Sequence, residues 1–174
     1  MKVYKFGGAS VKDANGVRNL HKIISNSNDN LVVVISAMGK TTNALELVVN
    51  SFFNHKSDTE ALLKKVVDYH ENIINDLFGA NRTEIDSHIN GLYEKINGIL
   101  SDKPSLSYDY EYDRIVSFGE LISTTIVACY LKYQGLNADW IDIRECIITD
   151  SNHRDANVNI ELSSKFTKSA FEGK

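Results

Sequence analysis

The spacing of hydrophobic residues changes character several times in the first sixty positions. Lys2–Lys5 reads as a short strand, and Lys12–Ser25 places Val17, Leu20, Ile23 and Ile24 on one side of a helix. A polar turn at 26–30 separates this helix from Leu31-Val32-Val33-Val34-Ile35, an uninterrupted run rich in β-branched residues. Such a run predicts a strand covered on both faces of a parallel sheet. Ser36–Thr42 is a polar loop, and a helix is expected from about Asn43 to Asn54. The β-α-β-α order predicts a doubly wound α/β sheet.

From 58 to 100 the period is helical throughout. Leu62, Val66, Tyr69, Ile73 and Leu77 form one stripe, and Ile85, Ile89, Leu92, Ile96 and Leu100 the next, with a break at Phe78–Asn81. This pattern predicts an antiparallel helical hairpin inserted in the α/β core. Pro104 marks a loop, and Tyr110–Tyr133 reads as one long helix closed by Gly135. Asn137–Asp142 is expected to be a third strand and Ile147–Thr149 a fourth. No internal repeat, low-complexity tract or interdomain linker stands out.

Composition narrows the picture. The 174 residues suffice for one well-cored domain. A net charge of −4 argues against a nucleic-acid or anionic-membrane partner. The most apolar stretches, Leu31–Ser36 and Leu121–Leu131, are too short or interrupted to predict a membrane span. Lys5 and two glycines interrupt any signal-peptide pattern, so a cytoplasmic location is expected. Cys129 and Cys146 have neither CxxC nor zinc-type spacing; both are expected to be reduced and buried, and no residue is assigned to a metal. The short helical pattern after Asp155, with no closing strand, suggests a piece of something larger.

Three segments carry chemistry. In Lys5-Phe6-Gly7-Gly8-Ala9-Ser10 the glycines strip Cβ atoms from a strand-to-helix turn, so backbone N–H groups can approach an anion. Lys5 adds a full positive charge there. An ordinary tight turn with a surface lysine would look the same. Ser36-Ala37-Met38-Gly39-Lys40-Thr41-Thr42-Asn43 imitates the end of a P-loop, but Val34 stands where that motif needs glycine. Its hydroxyls and Gly39 remain available to a small anion, although Thr42 or Asn43 could simply cap a helix. In Ser117-Phe118-Gly119-Glu120-Leu121-Ile122-Ser123 a carboxylate lies among apolar residues, where partial shielding from water is expected. A ligand ammonium is one natural partner for Glu120; Arg114 or Arg144 is the other. The first two loops follow strand ends and so share one edge of the sheet, where α/β folds bind ligands.

Taken together, KFGGAS, SAMGKTTN and SFGELIST resemble the motifs of aspartokinases, of the amino acid kinase family, with Ala9 in a threonine position. The resemblance runs from Met1 to about Asn159. It implies a three-layer αβα sandwich with a mostly parallel sheet, of which residues 1–174 would be the N-terminal amino-acid-binding lobe, with a hairpin insertion at 58–100. It also implies transfer of the γ-phosphoryl of ATP, with Mg²⁺, to the β-carboxylate of L-aspartate, the entry to lysine, threonine and methionine biosynthesis. By motif, Lys5 would be catalytic, Lys5, Gly7, Gly8 and Ser10 would bind phosphate, and Ser36, Thr42 and Glu120 would bind aspartate. The family's nucleotide lobe and ACT regulatory domains have no counterpart in the chain, so the 174 residues alone are expected to be inactive. Sheet edges left open by a missing lobe would favour a homo-oligomer. A kinase for another acidic amino acid, or a non-catalytic amino-acid-binding or assembly module, are the alternatives.

Overall fold

The computed structural model describes residues 1–27 and 29–172; the expected polar turn at 26–30 thus lies partly outside the described residues. The chain divides into two compact units, Met1–Ala138 and Asp139–Lys174. In the first, strand β1 (Lys2–Phe6) leads through a 3₁₀ turn (Gly8–Val11) into helix α1 (Ala14–Ser25), and strand β2 (Leu31–Ile35) into helix α2 (Thr41–Phe53). Then come α3 (Thr59–Phe78), α4 (Thr83–Ser101), α5 (Tyr108–Val116) and α6 (Phe118–Tyr133). The β-α-β-α order is as predicted.

β1 and β2 pair in parallel, with Lys5 opposite Val34 and Phe6 opposite Ile35. Strand alternation sends Tyr4, Phe6, Leu31, Val33 and Ile35 to the helical core. The opposite face is open: Val3 is 66% and Val34 46% exposed. The expectation of a strand covered on both faces therefore fails among the described residues, because all helices packed on this sheet meet one side of it.

α1 starts where Asp13 accepts the Gly16 N–H at 2.8 Å, later than the predicted Lys12, because the 3₁₀ turn intervenes. Val17, Leu20 and Ile24 are buried, whereas Ile23 is exposed. α3 and α4 occupy the predicted segments; α3 packs chiefly on α2, and α4 along α6. The buried stripe of α3 runs through Leu63, Val66, His70, Ile73 and Leu77, offset by one residue from Leu62 and Tyr69. Arg82 ties the connection together, with Nη2 at 2.6 Å from both Glu71 of α3 and Asp86 of α4. These carboxylates hold its guanidinium above the usual arginine range.

The predicted helix 110–133 is two helices, with Ser117 as the joint. By length and composition alone the stretch Tyr108–Tyr133 is apolar enough to cross a membrane, contrary to expectation, yet most of it is buried in the protein. Ile115, Ile122, Ile126 and Val127 are fully buried in the core. Gly135 ends α6 as predicted; the Leu136 N–H returns to Leu131 O at 3.0 Å.

The second unit contains a 3₁₀ turn (Ile143–Glu145) and helix α7 (Ile160–Phe171), which Asn159 caps at Leu162 N. Neither predicted strand forms among the described residues; only Thr149 and Val158 make an isolated antiparallel bridge. Turn chemistry overrides the β-branched pattern here. Asp142 caps the Arg144 N–H and pairs with its guanidinium, while Asp150 accepts from Asn152 N, Asn157 N and Asn157 Nδ2. Those bonds hold the Asp150 carboxyl below its ordinary range. Cys129 and Cys146 are free and buried, as expected.

Candidate active site

The two strand-to-helix loops are joined by their backbones. Ser36 N–H donates to Phe6 O at 3.1 Å, and Gly39 N–H donates to Gly8 O at 3.0 Å. A Cβ on Gly8 would stand 2.4 Å from Ala37 O, so only glycine permits this approach. Gly39 has φ +56°, a conformation that side chains rarely tolerate, and Tyr69 Oη fills the space a Cβ would need. The glycine of the first loop thus serves the second loop first.

Glu120 completes the junction. Its Oε1 accepts the Ala37 N–H at 3.1 Å, and one turn later Ser123 Oγ donates to Ser36 O at 2.8 Å. Gly119 lets α6 come this close, facing the Ala37 side chain. Glu120 is exposed rather than shielded, because it lies in the first turn of α6, away from that helix's buried face. Neither arginine is its partner: Arg114 faces Glu111 and Asp102, and Arg144 faces Asp142.

The structure therefore brings Lys5, Gly7, Gly8, Ser36 and Glu120 to the carboxyl ends of β1 and β2, with Thr42 in the first turn of α2. Ser10 sits in the 3₁₀ turn, where its N–H donates to Gly7 O. Lys5 lies on the open face of the sheet, its Nζ folded back toward Gly7. Among the described residues, the Lys5 ammonium and the Ser36 and Thr42 hydroxyls have no hydrogen-bond or ion-pair partner in the protein. The predicted cap at Thr42 or Asn43 is absent; Lys40 precedes α2 without a side-chain cap. The loop pair presents the Lys5 ammonium, the Ser36 and Thr42 hydroxyls and the solvent-facing Glu120 carboxylate.

Sequence reasoning missed the buttress behind this pair. Tyr69 Oη donates to Lys12 O at 2.5 Å and touches Gly39, so one phenol spans both loops. Burial, and then the charge of Asp13, push the Tyr69 phenol up from its usual range. Its neighbour His70 is fully buried. His70 Nδ1 lies 2.7 Å from Val66 O and must donate to it, while Nε2 faces Thr41 Oγ1 at 3.4 Å. Thr41 Oγ1 in turn donates to Met38 O at 2.6 Å. The signal lay in the spacing 63-66-70-73-77, which places a histidine in the middle of an apolar stripe.

Burial lowers the His70 pKa from 6.5 to about 4, against the opposing bond to Val66. The unfolded chain therefore binds a proton between these values that the folded chain does not, and stability falls as pH drops through that window. The shift corresponds to roughly 3 kcal/mol. Urea unfolding at pH 7 and pH 4 is expected to show His70→Gln with a smaller loss over this interval than the wild type; equal losses would contradict the assignment.

The chain belongs to the amino acid kinase family, whose sequence model matches residues 1–170. Within that family it is similar to aspartokinases. It is 33% identical to aspartokinase 2, chloroplastic, of Arabidopsis thaliana, over 90% of this chain and 29% of the relative. It is 28% identical to an aspartokinase of Chlamydia pneumoniae, over 92% of this chain and 34% of the relative. The fold matches E. coli aspartokinase III in complex with aspartate and ADP, with a TM-score of 0.85, 24% identity, and 96% of this chain and 36% of that one covered. The lysine and aspartate complex of that enzyme gives a TM-score of 0.82 at 25% identity, with 96% and 37% covered. The amino acid kinase αβα fold, seen here as a small parallel sheet under helices, is thereby established, and the chain spans about a third of the length of these relatives.

Proposed function

We propose that this chain is the aspartate-binding part of an aspartate kinase. In that reading the γ-phosphoryl of ATP passes to the β-carboxylate of L-aspartate, giving 4-phospho-L-aspartate at the head of lysine, threonine and methionine biosynthesis. The observation that carries it is the bond from Ala37 N–H to Glu120, which fixes a solvent-facing carboxylate beside the unpartnered Ser36 and Thr42 hydroxyls. Family membership and the similarity to aspartokinases support the same reading.

The chemistry suits this residue set. An aspartate β-carboxylate has a pKa of about 4 and is ionised at neutral pH, so no general base is needed. Phosphoryl transfer then depends on position and on neutralising charge. Glu120 would hold the α-ammonium, Ser36 and Thr42 would orient the carboxylates, and the Lys5 ammonium would meet charge on the transferring group, with the Gly7 and Gly8 amides and Ser10 beside it. Mg²⁺ would accompany the ATP phosphates. The 174-residue chain alone is expected to show no turnover in an ADP-release assay.

Glu120→Gln tests the site because it removes the charge while an amide oxygen can still accept the Ala37 N–H. Calorimetric titration of the protein that carries this sequence is expected to show aspartate bound more weakly by roughly 10- to 100-fold, or about 1.4–2.8 kcal/mol. Glu120→Ala, which also frees the loop, should be worse. Unchanged aspartate affinity in both variants would remove Glu120 from the substrate site. Stronger binding of glutamate than aspartate would assign the site to another acidic amino acid.

A further inference from the structure

Outside the loop pair, one group of potential ligands stands where α4 packs along α6. Glu84 and His88 are four residues apart on α4, so both project from one face of it. Cys129 faces them from α6. A carboxylate oxygen, an imidazole nitrogen and the Cys129 sulfur all lie within 4.8 Å of one another. We propose that Glu84, His88 and Cys129 form a binding site for a divalent transition ion of the zinc class.

The ligand chemistry fits such an ion, which combines thiolate, imidazole and carboxylate in tetrahedral sites. Bonds of about 2.0–2.3 Å place tetrahedral ligands roughly 3.3–3.8 Å apart. The remaining gap is within reach of rotamer changes, since Glu84 and His88 are exposed. Neither side chain has a hydrogen bond or ion pair among the described residues, whereas the neighbouring acid Asp86 is committed to Arg82. The backbone beneath them is held in place. Ile85 and Ile89 are buried to 1% exposure, and Asn81 Nδ2 donates to Tyr133 Oη at 3.1 Å, tying the start of α4 to the end of α6.

With no ion bound, Cys129 is held as the neutral thiol. Burial and the Glu84 charge push its pKa up, with Lys132 opposing. A cation reverses that arrangement by accepting both groups as ligands. On binding, the thiol proton passes to solvent, a metal–sulfur bond forms, and water from the hydrated ion keeps the fourth position; nothing is oxidised or reduced. Cys129 lies nine residues beyond Glu120 on α6, about 13 Å along the axis, so this site is separate from the loop pair. Sequence spacing hides it because its ligands come from two helices.

Cobalt(II) titration of the chelator-treated chain provides the test. One equivalent of Co²⁺ is expected to produce a thiolate-to-cobalt charge-transfer band that Zn²⁺ displaces. Cys129→Ser should abolish the band, Cys146→Ser should leave it, and His88→Gln or Glu84→Gln should weaken binding by at least about 10-fold. No such band, or a band that depends on Cys146 and not on Cys129, would overturn the site. Should Cys129→Ser disturb the core by circular dichroism, the exposed variant His88→Gln decides: unchanged affinity refutes the proposal and weakened affinity supports it.

Discussion

Lys5→Met is expected to lower the kcat of the proposed aspartate kinase by about 10²–10³-fold, or 2.7–4 kcal/mol of transition-state stabilisation. The size follows from what the lysine does in the proposed reaction. A preorganised cation facing charge that develops during transfer is worth more than one that binds the ground state, so KM for aspartate should move only a few-fold. The structure supplies a control. The Lys5 ammonium has no ion-pair partner among the described residues and lies on the exposed face of β1. Its removal should leave the melting temperature unchanged. A drop in stability comparable to the drop in rate would mean that Lys5 is a structural residue and not a catalytic one.

Gly8→Ala is expected to produce a large loss of stability. A methyl group there would sit 2.4 Å from Ala37 O and 3.1 Å from Gly39 O, both backbone atoms that cannot swing aside. The loops must separate and the bond from Gly39 N–H to Gly8 O must break. Overpacking of about 1–3 kcal/mol and a lost hydrogen bond of about 1 kcal/mol combine to roughly 2–4 kcal/mol. In a domain of this size that lowers the melting temperature by on the order of 10 °C. Gly7→Ala, by contrast, meets only the flexible Lys5 Nζ at 3.5 Å, from extended backbone, and should cost little. Scanning calorimetry on the two variants distinguishes them; equal effects would show that the junction between the loops does not hold the site together.

The contrast between Gly7 and Gly8 also shows how far the sequence could be read. β1, β2 and the first two helices were legible because local signals mark them: an apolar stripe makes α1, a β-branched run makes β2, and turn glycines separate strand from helix. The residues that bind one loop to the other were less legible. That Gly8 touches Ala37, that Glu120 accepts its N–H, and that Tyr69 reaches Lys12 are long-range facts which no periodicity encodes. The main packing partners of the helices were illegible for the same reason. Each stripe of α3 and α4 records only that a face is buried, not that α3 packs chiefly on α2 and α4 along α6. The strands expected after Asn137 failed because Asp142 and Asp150 spend their side chains on turns.

Binding of aspartate at this loop pair for phosphoryl transfer is best checked by hydroxylamine trapping with the protein that carries this sequence, supplied with MgATP and L-aspartate. Stoichiometric aspartyl hydroxamate and ADP are expected, both lost together in Lys5→Met. Hydroxamate formed from a different acidic amino acid and not from aspartate, or ATP consumed with no acyl phosphate trapped, would contradict it.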